Sequence, residues 1–107
     1  MVRISIKALS LNQAYRGRRF ATIELKKYKT ALGYLLPKKT LEKGKLRVWY
    51  TFGMSSAGGD GDNLIKCFQD ALADKYGFND NMIYEWNIKK EIVKKGEEYI
   101  DFEIKLC

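Results

Sequence analysis

Asp60 and Asp62 stand two residues apart in the segment Gly53-Met54-Ser55-Ser56-Ala57-Gly58-Gly59-Asp60-Gly61-Asp62-Asn63. The segment is rich in small residues and joins a strand pattern to a helix pattern. In a non-helical stretch, carboxylates at that spacing can converge on one cation, and Mg²⁺ takes hard oxygen ligands, usually one or two carboxylates with water and phosphate. Asp62 opens the helix pattern, where the helix dipole favours its ionised form. Aspartates in such places also serve simply as helix caps. Lys66 follows Asp62 by four residues, on one helical face, and Asp70 continues that face one turn further. An ammonium there either makes an exposed ion pair worth about 0.3–0.5 kcal/mol or stabilises charge that grows on a phosphate in a transition state. Asp80 falls between the helix pattern ending at Gly77 and the strand pattern beginning at Met82. A helix of about 14 residues runs about 21 Å. Asp80 therefore meets Asp62 only if the helix leans back across the sheet or if the partner site lies in a second copy. Within Asn79-Asp80-Asn81 it also reads as a turn residue.

The elements that must position these groups are legible as periodicities. Residues 1–8 alternate Val2, Ile4, Ile6 and Ala8 with Arg3, Ser5 and Lys7, a strand pattern. Leu25, Tyr28, Leu32 and Leu35 predict a helix over 23–36, with Thr22 as N-cap and Pro37 as stop. Leu46, Val48, Tyr50 and Phe52 mark one face of a strand over 46–52. Leu64, Cys67, Phe68, Ala71 and Leu72 form the apolar stripe of a helix over 63–76, which Gly77 ends. Met82, Tyr84, Trp86 and Ile88, then Ile100, Phe102, Ile104 and Leu106, read as a hairpin closed by Lys94-Lys95-Gly96-Glu97, with Trp86 in the core. Trp49 falls on the face opposite Tyr50 and Phe52. The order β-α-β-α-β-β predicts an α+β fold, a mixed sheet of about four strands with two helices packed on one face. Residues 1–107 make one domain, with no internal repeat or linker.

Composition narrows the chemistry. The chain has no histidine, which removes histidine bases and histidine metal ligands and leaves carboxylates, lysine, tyrosine and cysteine. Its two cysteines cannot fill a zinc site, which needs about four ligands, without help from carboxylates. Cys67 reads as a small buried apolar residue and Cys107 as a chain end, both reduced thiols. No apolar run approaches the roughly 20 residues of a membrane span. The N-terminal alternation is unlike the continuous apolar run of a signal peptide, so the expected location is the cytoplasm. The net charge of +7 is unevenly spread: residues 1–59 hold 13 Lys and Arg against Glu24 and Glu42, whereas residues 60–107 hold seven Lys against 11 acids. A basic half suits a polyanion, although an ordinary basic surface gives the same count. Tyr15, Arg16, Arg18 and Arg19 interleave an aromatic with charge in one loop, which suits phosphate contact with stacking on a base or sugar. Lys38, Lys39, Lys43 and Lys45 form a second, less specific basic run.

Beyond these readings, Asp60-Gly61-Asp62-Asn63-Leu64-Ile65-Lys66-Cys67-Phe68-Gln69-Asp70-Ala71-Leu72 resembles the Asp-x-Asp-Asn-x-x-Lys…Asp-Ala-Leu signature of the RusA family of Holliday-junction endonucleases. Gly77-Phe78-Asn79-Asp80-Asn81-Met82-Ile83 is similar to the aspartate-rich turn and apolar strand that follow in that family. Ser10-Leu11-Asn12-Gln13-Ala14-Tyr15-Arg16-Gly17-Arg18-Arg19 resembles its basic segment after the first strand. The chain departs from the pattern at Gly58-Gly59, where relatives often carry a basic residue or proline, and at Asn79, where paired aspartates are common. The resemblance implies a homodimeric, Mg²⁺-dependent endodeoxyribonuclease that resolves four-way DNA junctions by paired nicks. It implies Asp60, Asp62 and Asp80 as metal-holding, catalytic carboxylates, Lys66 as the supporting cation, and branched DNA held by Tyr15, Arg16, Arg18 and Arg19. The competing expectation is a basic nucleic-acid-binding module without catalysis, in which the aspartates only cap and turn.

Overall fold

The computed structural model describes residues 1–10, 14–16, 20–55 and 61–107, with the backbone alone described at 15, 16, 20, 21 and 61–63. In chain order the elements are β1 (Val2–Ile4), β2 (Tyr15–Arg16), β3 (Phe20–Ala21), α1 (Ile23–Leu35), β4 (Leu46–Met54), α2 (Gly61–Tyr76), a 3-10 turn (Asp80–Met82), β5 (Ile83–Ile92) and β6 (Tyr99–Leu106). The main sheet has the strand order β1-β6-β4-β5. β4 pairs in parallel with β5 and antiparallel with β6, and β1 pairs antiparallel with β6. This is the expected α+β architecture, a mixed sheet of four strands with the helices on one face.

The central strand behaves as its alternation dictates. Leu46, Val48, Tyr50 and Phe52 are buried toward the helices together with Ile100, Phe102 and Ile104 of β6. Leu25, Tyr28 and Leu32 of α1 and Leu64, Phe68 and Leu72 of α2 complete that core. Thr22 caps α1, its hydroxyl accepting from Leu25 N at 3.3 Å. The same hydroxyl donates to the Ala14 carbonyl at 3.1 Å, and Thr22 N donates to it at 2.8 Å. The basic segment expected as a loop thus contains a two-stranded ribbon, β2 with β3, rooted at the N-terminus of α1. Cys67 is buried and Cys107 exposed, as expected.

Four expectations are corrected. The C-terminal strands do not form a hairpin, because β4 lies between them. Parallel pairing of β4 with β5 requires a crossover, which α2 supplies. The chain then passes round the end of β4, where Val93 N donates to the Met54 carbonyl at 2.8 Å, and returns on its other side. Trp86 is 46% exposed and is not a core residue, since β5 is an edge strand. A bulge opposite Leu46 and Arg47 breaks the alternation, so Ile83 and Trp86 both face the helices although three residues apart. β1 stops at Ile4, where Ile6 N turns back onto the Ile4 carbonyl at 3.0 Å; Ala8 is nevertheless buried. Finally, α2 begins at Gly61, two residues before the expected start, which places Asp62 inside the helix and not in a non-helical stretch.

The face of the sheet away from the helices is tied by polar groups. Arg3 makes a two-pronged pair with Asp101, at 2.8 and 3.0 Å, and stacks 3.9 Å over the Tyr99 ring. Tyr99 lies flat across Gly53, its hydroxyl donating to Glu91 on β5. One strap therefore spans all four strands, and it passes over a position where only hydrogen fits. A Cβ at Gly53 would stand 2.4 Å from the Tyr99 ring. Gly53→Ala is expected to lower unfolding free energy by about 1–3 kcal/mol, as overpacking does. In a Tyr99→Ala background the same change should be nearly neutral, and denaturant unfolding of the four-member cycle measures the difference.

Candidate active site

α2 carries the chemistry on one side and the core on the other. Phe68 points into the sheet, edge-on to Tyr50 (5.3 Å between centroids), Phe52 (6.0 Å) and Phe102 (5.8 Å). Gln69 is buried, and its side-chain oxygen accepts from both the Tyr50 hydroxyl at 3.2 Å and Trp86 Nε1 at 2.8 Å. These contacts set the rotation of the helix about its axis. Lys66 and Asp70 are left on its outer side, and their charges pair at 3.1 Å.

Asp80 joins them. α2 ends at Gly77, whose φ of +69° reverses the chain and whose N–H bonds the Ala73 carbonyl at 2.8 Å. Residues 77–80 then run back beside the last turns of the helix. Asn79 caps the 3-10 turn, its side chain accepting from Asn81 N at 3.1 Å. With that task taken by Asn79, the Asp80 carboxylate reaches toward Lys66, 4.0 Å from its Nζ. This return of the chain carries Asp80 back to the level of Lys66, one turn short of Asp62, whose side chain lies outside the described residues.

The described residues thus bring together Lys66, Asp70 and Asp80 beside an open groove that Asp70, Asp80, Lys29, Asp74 and Asn79 line. Asp70 and Asp80 both face the Lys66 ammonium, at 3.1 and 4.0 Å, and carboxylates are the hard oxygen donors that Mg²⁺ takes. Among the described residues no three acidic or cysteine side chains cluster closely enough to hold a metal. Asp60 lies outside the described residues. Asp62 is in the first turn of α2, about 6 Å along the axis from Lys66, and its side chain is not described. Arg18 and Arg19 lie outside the described residues, and Tyr15 and Arg16 are known only as ribbon backbone. The ribbon meets α1 about 9 Å along the helix from Lys29.

Sequence reasoning assigned no role to Asp70, Asp74 or Lys29. Asp70 carried a signal, the i,i+4 spacing from Lys66. Lys29 comes from another helix, and no local spacing could have found it. Behind the groove, burial pushes the Cys67 thiol above its ordinary value, Asp70 adds to the effect, and Lys29 and Lys66 oppose it. Burial thus disfavours the Cys67 thiolate, which is the nucleophilic form. Tyr28 and Tyr50 are likewise raised by burial.

Among the described residues no helix is long and apolar enough to cross a membrane. No family model matches the chain, and no curated protein matches it.

Gln69→Leu should cost about 1–3 kcal/mol of stability, because it leaves the Tyr50 hydroxyl and the Trp86 indole without their acceptor. Tyr50→Phe in that background should recover part of the loss. Urea unfolding is the measurement, and a Gln69→Leu midpoint equal to that of the wild type would show that the two bonds contribute nothing.

Proposed function

We propose that the chain is a Mg²⁺-dependent, structure-selective DNA endonuclease of the RusA type, resolving four-way junctions by paired symmetric nicks in DNA recombination and repair. One observation carries the reading: the carboxylates of Asp70 and Asp80 converge on the Lys66 ammonium, on the helix whose first turn holds Asp62. Asp60, Asp62 and Asp80 would hold the metal. Bound Mg²⁺ supplies Lewis acidity at the phosphate and lowers the pKa of its water.

The remaining work belongs to the chain. Lys66 places one positive charge where negative charge develops on the phosphate oxygens. Asp70 positions that ammonium through the 3.1 Å pair. Tyr15, Arg16, Arg18 and Arg19 grip the DNA backbone near the branch, and Lys29 adds a cation on the side of the groove formed by α1. A homodimer with two-fold symmetry matches the symmetry of a four-way junction, so two sites act on two opposed strands. The reaction would take place in the cytoplasm.

The test is single-turnover cleavage of a pre-bound synthetic junction with and without Mg²⁺. Wild type should cut only with the metal. Asp62→Asn should bind and not cut, and Lys66→Ala should cut about 10²–10³-fold more slowly. Lys66→Ala should change stability by less than about 1 kcal/mol, because its pairs are half exposed. Binding without cleavage by the wild type would favour the non-catalytic module instead.

Junction affinity should also fall steeply with salt. Changing Arg16, Arg18 and Arg19 together to alanine should flatten the slope of log affinity against log salt by about one unit for each phosphate no longer neutralised. An unchanged slope would move the DNA-binding surface to the lysines at 38–45.

A further inference from the structure

β5 is ten residues long and pairs with β4 on one side only; among the described residues no strand lies along its other edge. Tyr84, Trp86 and Ile92 on it are 59%, 46% and 60% exposed. A long edge with apolar side chains invites pairing with another strand. We propose that this edge pairs antiparallel with the same edge of a second copy, about a two-fold axis through Asn87, so that two four-stranded sheets join into one.

The register follows from charge and facing. Pairing with β4 puts Trp86 and Ile88 on the helix face, beside Val48 and Tyr50, and Glu85, Asn87 and Lys89 on the open face. With the axis at Asn87, Glu85 stands opposite Lys89 of the partner subunit, and Trp86 stands opposite Ile88 of the partner subunit. Symmetry repeats each pair, and the axis itself falls on a neutral amide. Neighbouring registers fail. Centred on Ile88, Glu85 meets Glu91 of the partner subunit; centred on Lys89 or Lys90, a lysine meets its own copy. Like charges directly opposite are destabilising, whereas opposite charges and aromatic-aliphatic pairs are favourable. In the other direction the bulge at the start of β5 ends regular pairing. The strand is therefore complementary to itself in one register, as a closed two-fold contact requires. The assembly rests on the preceding reading only in that paired nicks need two sites; the surface is argued from the strand alone.

The experiment is sedimentation equilibrium of the full chain from micromolar to millimolar concentration, without DNA or Mg²⁺, so that its failure is separable from failure of the nuclease reading. Wild type should show a reversible monomer–dimer equilibrium, with those amides of 85–89 that point away from β4 gaining hydrogen-exchange protection as concentration rises. Glu85→Lys and Lys89→Glu should each weaken the dimer by about tenfold or more, because each turns two favourable pairs into repulsive ones. The double reversal should restore association to near the wild-type constant. Glu85 and Lys89 are exposed, and circular dichroism of each variant should match the wild type. A wild type that stays monomeric throughout, a dimer indifferent to both single reversals, or a double reversal that stays dissociated would each overturn the proposal.

Discussion

The packing of Phe68 fixes the geometry on which the other features depend. Its ring is held by three aromatic neighbours from β4 and β6, so α2 can neither roll nor slide without opening the centre of the core. Gln69, the next residue, converts that hold into a defined angle by accepting two hydrogen bonds from different strands. Once Phe68 and Gln69 are inside, helical periodicity requires that Lys66 and Asp70 be outside, one turn apart. The charged groove is thus a consequence of how the core is filled. A helix anchored this firmly can hold charges in register for chemistry that tolerates little misplacement.

The electrostatic design has two parts that come from different stretches of chain. Acids gather where α2 and the returning segment meet, and the segment carrying most of the basic excess precedes α2. α1 brings the two together, for it carries Lys29 to the acidic groove and roots the basic ribbon at its N-cap. Thr22 couples these tasks in one side chain, since the hydroxyl that caps the helix also donates to the base of the ribbon. Its replacement would loosen both the helix start and the ribbon's anchor.

What could be read in the sequence was what repeats locally. Leu46, Val48, Tyr50 and Phe52 announced a strand and its buried face; Thr22 and Pro37 bracketed a helix; Lys66 and Asp70 announced a shared helical face. What could not be read depended on partners distant in the chain. Trp86 looks like a core residue by alternation, and one bulge together with an edge position makes it a half-exposed donor to Gln69. Tyr84 to Leu106 looks like a hairpin, because alternation and a glycine turn are what hairpins also show. Nothing local says that β4 will occupy the space between the two strands. The approach of Asp80 to Lys66 depends on a reversal at Gly77, and a glycine after a helix gives a stop without a direction.

The strand order also has a consequence for how the sheet is made. β1 has its partner at the far end of the sequence, and the Arg3–Asp101 pair joins residues 98 apart. β4 acquires β5 only across a helix and β6 only after β5 is complete. No pair in the main sheet joins strands linked by a tight turn, so the sheet cannot start as a hairpin and grow. Loops must close before their pairings are rewarded, and topologies of this kind fold more slowly than those built from local pairs. On the ribosome the effect is sharper. Until residues 99–106 have emerged, β1 has no partner and β4 is open along one side, and two adhesive strand edges are exposed together for as long as synthesis of the last strand takes.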